Sequence, residues 1–181
     1  WQQGPLTQTG SDLHIAIDGE SEAFLVVQND DGGLRLTRDG RLAVGKDGTL
    51  RTEIGDLRVL GANDQPIVLD RSQPIEIDSK GTIRQGGEGV ARLQLVEVDR
   101  GHLAPEGKGR FTADEQTLAA RQPADATVLQ GWLEDSNVDP VRELLALIET
   151  TRAIQDSASL IRYHDSVMER AVNQLGRVST G

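Results

Sequence analysis

Cysteine is absent from this 181-residue chain. That excludes a disulfide frame, a thiol nucleophile and a thiolate metal site. Aromatic residues make up only 3% of the sequence, against 36% hydrophobic residues in all. The apolar content is therefore Val, Leu, Ile and Ala, which suits strands and helical seams better than an aromatic-lined pocket. No run of about 18 apolar residues occurs and no signal-peptide pattern opens the chain. Trp1 stands where an initiator Met would be, so a trimmed or partial chain is expected.

Positive charge is also scarce. Nineteen Lys and Arg face 29 Asp and Glu, a net charge of −10. Residues 140–181 hold five Arg and five acids, so the whole excess lies in residues 1–139. A surface this acidic repels a phosphate backbone and releases none of its counterions, which argues against nucleic acid as a partner.

What is abundant is turn punctuation. Of the 20 glycines, seven sit at Asp-Gly and Gly-Gly steps, the mark of short turns. Residues 1–12 are polar and extended, with Pro5 keeping Gly4 out of helix. From Leu13 a period of two sets in. Leu13, Ile15 and Ile17 share one face, while His14, Ala16 and Asp18 share the other. Asp18-Gly19 turns the chain into Ala23–Gln28, a largely buried strand, and Asn29 to Gly33 makes a hairpin tip. Turns follow at Asp39-Gly40 and Asp47-Gly48. Further strand-length pieces lie at Pro66–Leu69, Ile75–Asp78, Thr82–Gln85 and Arg92–Val98. The spacing predicts a hairpin-rich β-domain over 13–135, with 1–12 as an extended linker.

At Asp139-Pro140 the period changes. Asn137 or Asp139 can cap a helix, and Pro140 fits its first turn. Leu144, Leu147, Thr151, Ile154, Ala158, Ile161, Asp165, Met168, Val172 and Leu175 are spaced alternately by three and four, and eight of these ten are apolar. This pattern predicts a coiled-coil-type helix over 136–181, ending near Gly176, with Thr151 and Asp165 as the weak points of its seam. A single helix of that length with one apolar stripe needs a partner, and a facing helix is expected. The fold class is thus mainly β with a long C-terminal α-helix.

Chemistry finds little to work with. His14, His102 and His164 are scattered, and none is paired at ligand spacing. His164-Asp165-Ser166 spells a triad in sequence, yet consecutive helical residues face different ways. Asp30-Asp31-Gly32 and Asp47-Gly48 lack the oxygen ladder of a calcium loop and are read as turns. GGEG at 86–89 and EGKG at 106–109 lack phosphate-cradle spacing. Asp18, Glu20 and Glu22 form an acidic turn read as a solvated hairpin tip, since general acid work needs a shielded carboxyl. No catalytic, cofactor-binding or metal residues are assigned. Trp132 is singled out, either as a lid on the β-domain edge or as a contact with an adjacent subunit.

The motifs nevertheless occur in a telling order. QGPLTQTG at 3–10 is similar to a QGxLxxTG segment, and LHIAIDG with AFLVVQ to L(D/H)xAIDGDGFF(V/Q)V. TRDGRLAVGKDGTLRT at 37–52, IEIDSKGTI at 75–83, RLQLVEV at 92–98 and EGKGRFTA at 106–113 follow at matching intervals. VLQGWLEDSNVDPVRELLALIETTRAI at 128–154 then resembles the C-terminal signature of bacterial flagellar rod and hook proteins. That resemblance implies a structural subunit of the axial tube, with no cofactor, substrate or catalysis. Its implied partners are copies of itself and other flagellar axial proteins, with no nucleic acid and no membrane insertion. It implies a location in the periplasmic rod of the basal body, after export without a cleaved signal peptide. The terminal helix would assemble through Leu144, Leu147, Ile154, Ala158, Ile161, Met168, Val172 and Leu175.

The chain departs from the family in four places. The N-terminal helical segment of ANxxTxGFK type is absent, and DGESEAF replaces the DGDGFF turn. Leu42 stands at a common Phe position, and Ile154 takes an aromatic one. Two other readings are carried forward: a non-flagellar surface or scaffold protein displaying a β-domain on a coiled-coil stalk, and a hydrolase using acidic residues of a deep pocket.

Overall fold

A computed structural model of the chain describes residues 3–19, 22–137 and 140–178. In chain order the strands are β1 (Leu6–Gln8), β2 (Ile15–Asp18), β3 (Ala23–Gln28), β4 (Leu34–Thr37), β5 (Leu42–Val44), β6 (Leu50–Thr52), β7 (Arg58–Val59) and β8 (Glu76–Ile77). They continue as β9 (Thr82–Gln85), β10 (Glu88–Arg92), β11 (Leu95–Glu97), β12 (Ala104–Gly107), β13 (Arg110–Thr112), β14 (Gln122–Pro123), β15 (Thr127–Gln130) and β16 (Trp132–Glu134). Two helices complete the chain, α1 (Glu115–Ala119) and α2 (Pro140–Val178). It divides into two compact units, one up to residue 137 and one from 138 onward.

Strand β3 explains why the β-unit holds together. It pairs antiparallel with β4 along one edge and with β7 and β11 along the other. Ala23, Leu25 and Val27 point into one apolar cluster with Ile15, Ile17, Leu42 and Leu50. Phe24 and Val26 point into a second, with Leu36, Leu60, Val96 and Phe111. A strand covered on both faces has no polar face to display, which is why AFLVVQ reads as a continuous run and not an alternation. Phe24 and Phe111 meet edge to face, centroids 5.6 Å apart, the geometry that aligns ring edge with ring face.

The same double coverage extends to β2. Its Ile15 and Ile17 are buried, and so is Ala16 on the opposite face. Leu42, in place of the common Phe, is 1% exposed and fills the first cluster. Glu20 and Ser21 of the altered turn lie outside the described residues.

Three further differences have local causes. Pro66–Leu69 makes only isolated bridges, Leu60 with Pro66 and Thr49 with Val68, because proline cannot donate to a ladder. Residues 86–89 are not a loop alone: Gly86 and Gly87 take positive φ and turn β9 back into β10. Helix α1 is five residues long, too short to show a period, and is started by Asp114, whose carboxylate accepts the Thr117 N–H.

Leu6–Gln8, within the stretch read as linker, forms β1 against β16. Helix α2 begins at Pro140 as the sequence suggests and runs 39 residues, about 58 Å at ~1.5 Å per residue. It passes Gly176 by two residues. Of the two expected caps, Asn137 is exposed and Asp139 lies outside the described residues.

Candidate functional site

Two places stand out among the described residues: the neck where the chain enters and leaves the β-unit, and the helix.

At the neck, β1 and β16 run antiparallel, with Leu6 opposite Glu134, Thr7 opposite Leu133 and Gln8 opposite Trp132. Antiparallel pairing brings residues 3–5 and 135–137 to the same end of the ribbon. The Asp135 N–H donates to the Pro5 carbonyl at 2.9 Å, and the Thr7 hydroxyl to Asp135 Oδ2 at 2.5 Å. Gly4 is required here by space: a Cβ would stand 1.7 Å from the Asp135 carbonyl oxygen. At the far end the Gly131 carbonyl accepts the Thr9 N–H at 2.7 Å and the Gly10 N–H at 3.2 Å. Gly131 itself has φ +79°, a conformation glycine takes without penalty.

Arg38 fastens the neck to the core. Its guanidinium donates to Glu134 Oε2 at 2.9 Å, to the Ile17 carbonyl at 3.1 Å and to the Ala23 carbonyl at 3.1 Å. Glu134 Oε1 in turn accepts the Gly4 N–H at 3.2 Å. The planar five-donor fork of arginine suits several acceptors held at fixed angles. Gln130 plays a similar part with a neutral group: its Nε2 donates to the Asp12 and Ile75 carbonyls, both at 2.8 Å, and its Oε1 accepts the Ile77 N–H. Sequence reading assigned neither residue. Arg38 sits in a TRDG stretch whose turn glycine dominates the pattern, and nothing local marks its partner almost a hundred residues away. Trp132 is half-buried on β16.

Along α2, the apolar row read from the sequence is open. Leu144, Leu147, Ile154, Ile161 and Met168 are 54–65% exposed, and Ala158 is exposed as well. The side chains of Asp165, Val172 and Leu175 lie outside the described residues. Thr151 donates its hydroxyl to the Leu147 carbonyl at 2.8 Å, so its polar atom is satisfied within the helix and asks nothing of a partner. Leu160, Tyr163 and Val167, spaced by three and four, form a further exposed apolar row.

The chemical candidates resolve into ordinary structure. His14 Nδ1 lies 2.9 Å from the Thr9 hydroxyl and its Nε2 3.7 Å from Glu53, while His102 and His164 are exposed and distant in sequence. Asp47 accepts the N–H and hydroxyl of Thr49, which hold its carboxyl below the usual range. Asp31 accepts the Gly33 N–H, and Asp30 pairs with Arg58 at 2.9 Å. EGKG is the turn between β12 and β13. Among the described residues, no three His, Asp or Glu gather as metal ligands. No helix among the described residues is long and apolar enough to cross a membrane.

Known proteins resemble the chain along its whole length. The family model described as flagellar basal body rod FlgEFG protein C-terminal matches residues 129–175, from β15 through the neck and most of α2. The chain is 37% identical to a flagellar basal-body rod protein FlgF of Caulobacter vibrioides, covering 98% of this chain and 71% of that protein. It is 35% identical to the FlgF of Rhizobium meliloti, over 96% of this chain and 71% of that one. A FlgG of Caulobacter vibrioides is 29% identical, over 96% and 68% respectively.

Proposed function

Because the chain belongs to the flagellar basal-body rod protein family, a family of structural subunits, we propose that it joins the rod through the apolar seam of α2. The observation that carries this reading is the exposure of that seam. Five large apolar side chains spaced by three and four stand 54–65% in solvent on a helix 39 residues long. An isolated helix gains nothing from such a stripe, whereas burial against a facing helix stabilises by about 1.5–3 kcal/mol for each large side chain. The second row, Leu160, Tyr163 and Val167, supports packing on more than one side of the helix.

The partners are copies of this chain and other axial subunits of the rod, each contributing a helix to the contact. The β-unit faces outward, since most of its large apolar residues are buried in its own two clusters. Trp132, at the base of the neck, meets an adjacent subunit. The protein acts without cofactor or substrate, in the periplasmic rod. Identities of 31–37% to relatives named FlgF, against 27–29% to those named FlgG, favour a FlgF-type position. Immunogold labelling of purified hook–basal bodies, with antibody raised to residues 11–135, is expected to mark the rod. Intact basal bodies without label, from cells expressing the chain, would return the scaffold reading to first place.

A further inference from the structure

On the β-unit, an open groove of about 640 Å³ runs past Lys80, Arg92 and the segment Arg121–Ala126. It continues, through Ala62 and Arg92, into a shallower one of about 270 Å³ floored by Val68 and Val90. We propose that this groove is a contact surface for the acidic β-unit of a second copy of the chain.

The argument is one of charge and of apolar exposure. Arg35, Arg38, Arg41 and Arg58 are each paired with a carboxylate within the chain. Arg121 is likewise paired with Asp64 at the rim of the groove. Lys80 and Arg92 are not, among the described residues, and both are exposed. They are also held together: Arg92 Nε donates to the Lys80 carbonyl at 3.2 Å. Asp125 is the carboxylate of the lining left without a cation, so the groove keeps a positive surplus on a chain of net charge −10. Beside these cations, Val68 and Val90 are 64% and 48% exposed, the two large apolar side chains of the β-unit left in solvent among the described residues.

Copies this acidic repel one another on approach unless cations meet carboxylates where they touch. Lys80 and Arg92 supply those cations. Exposed carboxylates at Asp18, Glu97 and Asp99, without cation partners among the described residues, supply the other half. The two valines give the contact a dry centre with a charged rim, the usual division of labour in an interface.

This inference rests on the reading that copies lie side by side. It is tested on the full chain with a benzophenone maleimide attached to Val90→Cys, which labels one site because the chain has no cysteine of its own. Illumination is expected to give an adduct of two copies. Its yield should fall about tenfold in Lys80→Glu/Arg92→Glu, the scale of losing close charge pairs across an interface. It should fall likewise in wild type at high salt. Both reversed side chains are exposed, and circular dichroism checks that the variant folds. Absence of the two-copy adduct, an adduct only with a different protein, or a yield indifferent to the reversal would each overturn the groove contact. Leu147→Asp/Ile161→Asp, assayed for incorporation into basal bodies, separates the two claims. If it incorporates, the helix reading falls. If it fails while the charge reversal leaves both adduct and incorporation intact, the groove alone falls.

Discussion

Arg38 satisfies acceptors on three separate segments, Ile17, Ala23 and Glu134. With 11% and 18% of their side chains exposed, Arg38 and Glu134 form a largely shielded pair. Arg38→Ala removes the cation from that carboxylate and one donor from each of two carbonyls, leaving Glu134 the Gly4 N–H and Ile17 the Gln3 amide, and should cost about 2–3 kcal/mol in urea unfolding. Arg38→Lys is expected to recover only part of it, having no fork. Glycine positions make a second residue-scale test. Gly4→Ala drives a Cβ into the Asp135 carbonyl, whereas Gly10→Ala meets open space and bears only its φ of +72°. The first should open the β1–β16 ribbon, detected as fast amide exchange at Thr7 and Leu133. The second should cost about 1 kcal/mol.

Acid behaviour also belongs to single residues. Asp47, Asp70 and Asp78 are held below the usual carboxylate range by turn donors, from Thr49, Ser72 and Thr82 respectively. A Gln94 amide and then Arg121 do the same for Asp64. The unfolded chain therefore binds protons more readily than the folded one, and stability falls as pH drops. The stabilisation is complete above the ordinary Asp value of 3.8 and is lost as pH falls through the lower folded-state values. Asp78→Asn, which removes one such carboxylate, should flatten the acid limb of a stability–pH curve and leave its neutral plateau slope unchanged.

At the scale of elements, sequence periodicity served where one signal dominates and failed where two compete. Strands β3 and β9 were legible to the residue, and Pro140 in the first turn of α2 was legible within an expected span of 136–181. Their apolar runs and flanking glycines or proline point the same way. Pro66–Leu69 carried the composition of a strand, but Pro66 lacks the donor a ladder needs. Strand β10 was hidden by its own exposure, since an edge of Glu, Gly and Arg resembles a loop. Helix α1 depends on one cap and not on a pattern. The long helix was legible from spacing alone; the neck was not, because it joins residues at opposite ends of the β-unit. For α2 the expectation is a separation of stability from assembly. Leu147→Asp/Ile161→Asp should leave the thermal midpoint of the β-unit unchanged, because those side chains are 64% and 63% exposed in the single chain. A chain ending at residue 139 should likewise keep the β-sheet spectrum while losing incorporation.

At the scale of the whole molecule, the chain places its charge and its stickiness in different units. The acidic excess lies before residue 140, and the helix that follows is neutral with an open apolar seam. The motif order was legible over nearly the whole sequence, whereas the cation groove was not, since Lys80, Arg92 and Arg121 come together only through the sheet connections. The most direct measurement is the amount of chain in hook–basal bodies from cells expressing wild type or Leu147→Asp/Ile161→Asp at equal levels. Wild type is expected in the rod, with the seam variant folded in the cell yet missing from it. Wild-type amounts of the variant in purified basal bodies would contradict assembly through the terminal helix.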